Sequence, residues 1–246
     1  MKVAWLADAP TFGPLVRARA VALHPDVEGT VVSCRADFED LAAVASCISV
    51  SNQREGLVAL AQLDPDVVVA DWQWWRNAPR AIAGGVVRVG FAHREGTEWD
   101  LDLAPLHPWG AAPPRTTRTE RTRPRVLTMS PRSQPGIIEA IAGPAIAAAD
   151  VEHVIADERN GGVQMRDADL VVTSAGWSSS WEARWSGVPH FLCRTNDTDQ
   201  WLRATDGSVA EMVTQAGVLR GWSPPAVPDH VPPFLDLLRL RSEHGR

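Results

Sequence analysis

Apolar residues in the first part of the chain fall into short runs separated by stretches with helical spacing. Val3-Ala4-Trp5-Leu6-Ala7, Thr30-Val31-Val32-Ser33, Ile48-Ser49-Val50, Asp66-Val67-Val68-Val69-Ala70-Asp71 and Val86-Val87-Arg88-Val89-Gly90 read as strands. The fourth run is apolar throughout its middle, as in strands that a parallel sheet buries on both faces. Between the runs, Leu15 to Leu23, Phe38 to Ala45, Gln53 to Leu63 and a short segment ending near Ala81 to Gly84 read as helices. On the first of these, positions 15, 16, 20 and 23 are apolar, which turns Arg17 and Arg19 outward. Five strands with interleaved helices predict a Rossmann-like half over residues 1–102.

Residues 103–124, LAPLHPWGAAPPRTTRTERTRP, break this pattern and read as a linker. Arg115, Arg118, Arg121, Arg123 and Arg125 crowd its end. A phosphate-facing role is one reading; a solvated charge run is the simpler one. A second α/β half over 125–246 follows. Arg125 to Met129 and Val151 to Ile155 are strands around a helix from about Pro135 to Ala149, with an interruption expected near Gly143-Pro144. Helices near Thr198–Ala204 and Ser208–Ala216, a proline-rich segment and an amphipathic helix over Phe234 to Leu240 complete it.

The most informative stretch is 169–200, DLVVTSAGWSSSWEARWSGVPHFLCRTNDTDQ. A buried strand, Leu170-Val171-Val172-Thr173, meets a small-residue turn, Ser174-Ala175-Gly176-Trp177. Ser178, Ser179 and Ser180 are each suited to cap the helix that follows. Gly187-Val188-Pro189 stops that helix before a second strand, His190-Phe191-Leu192-Cys193. Such a βαβ unit directs free N–H groups and a helix dipole outward from the turn, where an anion such as a diphosphate can bind.

Thr173-Ser174-Ala175-Gly176-Trp177-Ser178-Ser179, then Glu182, Gly187-Val188-Pro189 and Asp199-Gln200, resembles the donor-binding signature of GT-B glycosyltransferases, which use nucleotide sugars. The signature's usual histidine before the turn is Ser174 here. The resemblance implies two Rossmann-like halves facing across a cleft. It also implies that Gly176, Ser178 and Ser179 grip the diphosphate, that Glu182 bonds the ribose hydroxyls, and that Asp199 and Gln200 hold donor-sugar hydroxyls. Ser174 and Trp177 belong to the same turn. Ser130 and Arg132 open the second half, where an arginine can neutralise a diphosphate.

In open α/β sheets ligands bind beyond the carboxyl ends of strands, which singles out loops 8–14, 71–76, 91–99, 130–134 and 174–179. An inverting transferase needs a base for the acceptor proton. The family's first loop often carries one before the helix, but this chain has Gly13-Pro14 there. Two substitutes stand at strand ends: Asp8, which alternatively caps its own loop, and His93, able to titrate near neutral pH or to sit idle on a surface loop. Gly13, Asp71 and Trp74 line the expected acceptor side, where a tryptophan either stacks on a planar or sugar acceptor or covers the core or an interface. His190 reads as a core histidine.

No His/Asp/Glu cluster has metal-ligand spacing, and no phosphate-binding G-x-x-x-x-G-K-[ST] or G-x-S-x-G elbow occurs. The family implied needs neither metal nor cofactor, the nucleotide sugar (UDP- or TDP-type) being a co-substrate. A net charge of −6 argues against a general nucleic-acid binder. Cys34, Cys47 and Cys193 are scattered and suit free thiols in a reducing compartment. No run approaches the roughly 18 apolar residues of a membrane span, and the short apolar N-terminus reads as a strand rather than a signal peptide. The expectation is a cytoplasmic, metal-independent glycosyltransferase acting on a small-molecule acceptor. A nucleotide-sugar hydrolase of similar fold and a non-catalytic nucleotide-binding or partner subunit are the alternatives.

Overall fold

A computed structural model describes residues 1–7, 13–33, 46–71, 86–90, 101–102, 121–131, 134–156, 164–195, 200, 203–220, 222, 224 and 230–244. Contacts divide the chain into two units, Met1–Gly110 with Asp229–Arg246, and Ala111–Pro228. The expected helices over 38–45 and near 81–84 lie outside the described residues.

In the first unit the elements are β1 (Lys2–Ala7), α1 (Gly13–Ala22), β2 (Glu28–Ser33), β3 (Ser46–Ser49), α2 (Gln53–Leu63), β4 (Val67–Asp71), β5 (Val86–Gly90) and β6 (Leu101–Asp102). The sheet runs β3-β2-β1-β4-β5-β6, and every pairing is parallel. This is the doubly wound order of a Rossmann domain, with its switch point between β1 and β4. Strand side chains alternate between the two layers. Ala4 and Leu6 join Val32, Val68, Ala70, Ala59 and Leu60 in one core cluster. β6 is only two residues long, too short for periodicity to reveal.

Helix α1 buries Arg17, Ala18 and Val21, so Arg17 lies inward and not outward as its sequence position suggested. Alanines at 18, 20 and 22 leave this helix without a dominant apolar stripe, and packing chose the face. The approach of α1 to β2 is close: a Cβ at Gly29 would fall 2.5 Å from the Ala22 Cα. Glycine is required there for space.

The C-terminal helix, Val231–His244, also belongs to this unit and not to the second half, where the sequence placed it. Phe234, Leu235 and Leu238 are buried, and the Phe234 ring lies 5.7 Å from that of Trp5. Arg239 adds an ion pair to Asp26 at 3.6 Å. An amphipathic stripe says that a helix packs, but not against which sheet.

The second unit holds β7 (Arg125–Met129), α3 (Ile137–Ala148), β8 (Glu152–Ile155), β9 (Leu170–Ser174), α4 (Trp177–Trp185), β10 (His190–Cys193), α5 (Val209–Thr214) and α6 (Ala216–Leu219). Its parallel sheet runs β10-β9-β7-β8. Alternate strand residues feed opposite layers: Val126, Leu170, Val172 and Phe191 pack with Ile138 and Ile146 of α3, whereas Leu127, Val171 and Leu192 pack with Ala183 of α4. Helix α3 continues through Pro144 without the expected interruption.

At the amino ends of these strands, Arg121 and Arg125 are structural rather than solvated, whereas Arg123 is exposed and Arg115 and Arg118 lie outside the described residues. Arg125 pairs with Glu152 through two nitrogens, at 2.8 and 3.1 Å, and with Asp167. Arg121, with a side chain 11% exposed, binds the same Asp167 carboxylate. Arg220 donates to the Arg121 and Arg123 carbonyls at 3.0 and 2.9 Å. The cluster fixes the end of the sheet opposite to the carboxyl ends of its strands. Among the described residues, no helix is long and apolar enough to cross a membrane.

Candidate functional site

Strand β7 lies between β8 and β9, so the connections leaving β7 and β9 pass to opposite faces of the second sheet. The carboxyl ends of these two neighbours flank the switch point, the usual ligand crevice of such a sheet. Each strand leads into a helix N-terminus there, and the two N-termini differ.

After β7, the Ser130 hydroxyl accepts a hydrogen bond from the Ile138 N–H at 2.8 Å and donates to the Glu139 carboxylate. Glu139 stands in the first turn of α3. Burial works to raise its pKa. Hydrogen bonds from Ser130, its own N–H and Thr128, with His153 nearby, outweigh burial and hold it below the ordinary value. An ionised carboxylate and a hydroxyl therefore already satisfy this end of α3. The Thr128 hydroxyl is also 2.9 Å from His153 Nε2.

After β9, Ser174 is buried, and the Ala175 N–H donates to the Cys193 carbonyl at 2.8 Å. Gly176 is extended, with φ −60° and ψ 153°, and among the described residues no side chain caps the helix. Its carbonyl accepts the Ser180 N–H at 2.8 Å, so the helix begins at Trp177. Ser178, Ser179 and Ser180 thus sit inside the first turn and not at the cap. The N–H groups ahead of Ser180 precede the first intrahelical bond and point outward from the turn. A Cβ at Gly176 would meet the Ser174 Oγ at 3.4 Å, an ordinary contact, so the turn has room for a side chain there. The Ser174 hydroxyl in turn donates to Ser179 Oγ at 3.3 Å.

Glu182 is half-buried, less than two turns along α4 from Gly176. Gln200 is 6% exposed, and its side-chain oxygen accepts from the N–H and the hydroxyl of Thr195, both at 3.0 Å. One residue that the sequence did not single out joins these parts. Arg203, buried at 8% exposure, donates from Nε to the Ala175 carbonyl at 2.8 Å, while its own N–H donates to the Gln200 carbonyl at 3.1 Å. Its only sequence signal is its place one helical turn beyond Gln200.

His190 Nδ1 lies 3.0 Å from the Val188 carbonyl, and burial lowers its pKa, as in a core histidine. Burial likewise pushes the Cys193 thiol up to about 12. In the first unit, Gly13 opens α1, and Asp71 ends β4 in register with Ala7. The backbones of Asp71 and of the residue before Asp8 therefore meet at the first sheet's switch point. Asp8, Trp74, His93, Arg132 and Asp199 lie outside the described residues; Trp177 and Ser178 are placed by their backbone alone. Among the described residues, no group of three or more His, Cys, Asp or Glu side chains could hold a metal ion.

No model of a protein family and no curated protein matches the sequence. Solved structures do match the fold. Spinosyn rhamnosyltransferase SpnG is similar with a TM-score of 0.61 at 14% identity, over 99% of this chain and 96% of that one. Spinosyn forosaminyltransferase SpnP gives 0.62 at 13%, over 97% and 99%. The glycosyltransferase SsfS6 of Streptomyces sp. SF2575, complexed with thymidine diphosphate, gives 0.59 at 12%, over 99% of each chain. With two parallel α/β units and this likeness along its length, the chain has the fold of the GT-B glycosyltransferases.

Proposed function

We propose that this chain transfers a sugar from a nucleotide-sugar donor to a small-molecule acceptor, without a metal and with inversion at the anomeric carbon. The observation that carries the reading is the uncapped N-terminus of α4 at the switch point of the second sheet, with Glu182 and Gln200 following it. An open helix N-terminus offers N–H donors and a positive dipole end to a departing diphosphate, which is where negative charge grows. The likeness to SpnG, whose structures include complexes with thymidine diphosphate and with spinosyn aglycone, supports the same assignment of ligand classes.

In this reading the diphosphate lies against the N–H groups of residues 176–179 and the Ser179 hydroxyl, with Arg132 as a neutralising cation. Glu182 accepts from the ribose hydroxyls, and Asp199 with the Gln200 amide nitrogen holds the sugar. Ser130, already bonded to Glu139, acts by shaping its loop. The acceptor is held by the first unit near Gly13, Asp71 and Trp74. Asp8 and His93 are the two candidates for the base that takes the acceptor proton as its oxygen or nitrogen attacks and the bond to the diphosphate breaks.

The test is a thermal-shift panel of UDP, TDP, GDP and their sugars on wild type and Glu182→Ala. A ligand present at 100 times its Kd stabilises the folded state by about 2.7 kcal/mol. One nucleotide raising the melting temperature, with the shift lost in the variant, is the expected result. No shift with any of them, at concentrations up to several millimolar, would overturn the donor site. Release of free sugar at a catalytic rate without acceptor would instead make the chain a nucleotide-sugar hydrolase.

A further inference from the structure

We propose that Arg203 is a positioning residue for the donor diphosphate, acting by fixing the orientation of the Ala175–Gly176 peptide; this rests on the donor site proposed above. The described residues contain no cis peptide bond, so this peptide is planar and trans, and its carbonyl and its N–H point in opposite directions. Arg203 Nε holds the Ala175 carbonyl at 2.8 Å. The Gly176 N–H is therefore aimed away from the guanidinium, and the peptide cannot rotate to present its carbonyl oxygen to an incoming anion. A glycine turn needs such a restraint, because Gly176 has no side chain to oppose the rotation.

The same arginine couples the two ends of the signature. Its N–H and that of Ala204 both donate to the Gln200 carbonyl, at 3.1 and 2.9 Å. The Gln200 side-chain oxygen holds Thr195 just beyond β10. A continuous hydrogen-bonded path thus runs from the segment after β10, through Gln200 and Arg203, to the turn before α4. The burial of Arg203 keeps the path out of competing water. Contact with the donor sugar at Gln200 and grip on the diphosphate at Gly176 share one scaffold.

Two replacements separate this role from a simple contribution of charge. In Arg203→Gln the amide nitrogen occupies the position along the side chain that Nε had, so a donor to Ala175 remains without the charge. In Arg203→Met neither remains. Calorimetric titration with TDP, and with UDP beside it, is run on wild type and both variants, with melting temperatures as the control for folding. Met is expected to weaken the nucleotide that wild type binds by about tenfold or more, and Gln by less than about threefold. Equal losses in the two variants, or Met within twofold of wild type, would overturn the positioning role while leaving the donor site intact. Wild type that binds neither nucleotide overturns the donor site and this role together. If Met fails to fold, Gln alone decides: affinity within threefold of wild type supports the hydrogen bond, and a tenfold loss refutes it.

Discussion

Two helix N-termini stand side by side at the carboxyl end of the second sheet, and among the described residues only one is closed by side chains of the protein itself. Both follow parallel strands, and both have a glycine, Gly136 or Gly176, at the cap. At α3 the chain has filled the end itself, with the Ser130 hydroxyl on the Ile138 N–H and the Glu139 carboxylate beside it. At α4 no side chain among the described residues caps the helix, and Arg203 and Ser174 back the turn from beneath. A helix dipole is therefore not in itself an anion site. What matters is whether the protein has already spent it on its own carboxylate.

The sharpest way to break this contrast is to close the open end. Gly176→Asp copies onto α4 what α3 has, and aspartate is among the best N-cap residues. Its Cβ would meet Ser174 Oγ at 3.4 Å, a contact that the fold tolerates. Affinity for the diphosphate should fall on the order of a hundredfold, with the melting temperature nearly unchanged. Affinity within tenfold of wild type, measured by calorimetry, would mean that the diphosphate binds elsewhere.

Opening the closed end should do the reverse. Ser130→Ala removes the hydroxyl on the Ile138 N–H and should cost about 1 to 2 kcal/mol of stability in urea unfolding, with nucleotide affinity changed by less than about threefold through the loop. A tenfold loss of affinity would instead place Ser130 on the ligand. A smaller effect comes from Glu139 and pH. Its pKa in the folded chain lies below the ordinary 4.5, so the ionised form favours folding. That contribution is complete above about pH 4.5 and is lost as pH falls through the lower folded value. The melting-temperature difference between wild type and Glu139→Gln should therefore be constant from pH 7 to 5 and shrink below that. Smallest of all is Ser174→Ala, which loses a long 3.3 Å hydroxyl contact and should cost under about 1 kcal/mol in urea unfolding.

Much of this arrangement was legible along the chain, and particular residues show where legibility ended. The runs at 125–129, 170–174 and 190–193 announced strands because burial on both faces favours mostly apolar sequence, broken here only by small polar residues and by the strand ends. Asn52 and Glu55 bracket the start of α2 by local bonds, and that helix spans Gln53–Leu63 as its periodicity predicts. The three serines after Gly176 misled, since capping preference is a local rule and here the extended glycine backbone began the helix first.

The sequence by itself determined that two α/β units alternate strand and helix, and where the turn with the donor signature falls. Both follow from periodicity and from residues close together in the chain. Only the tertiary structure decided that the C-terminal helix returns to Trp5, that Arg17 is buried, that Glu139 closes one helix and that Arg203 braces the turn of the other. Each of these depends on which groups from separate parts of the chain come within contact distance, a ring against a ring for Trp5 and Phe234 or a donor about 3 Å from an acceptor for Arg203 and Ala175. That distance is set by how layers pack, and no local pattern of hydrophobic and polar residues encodes it.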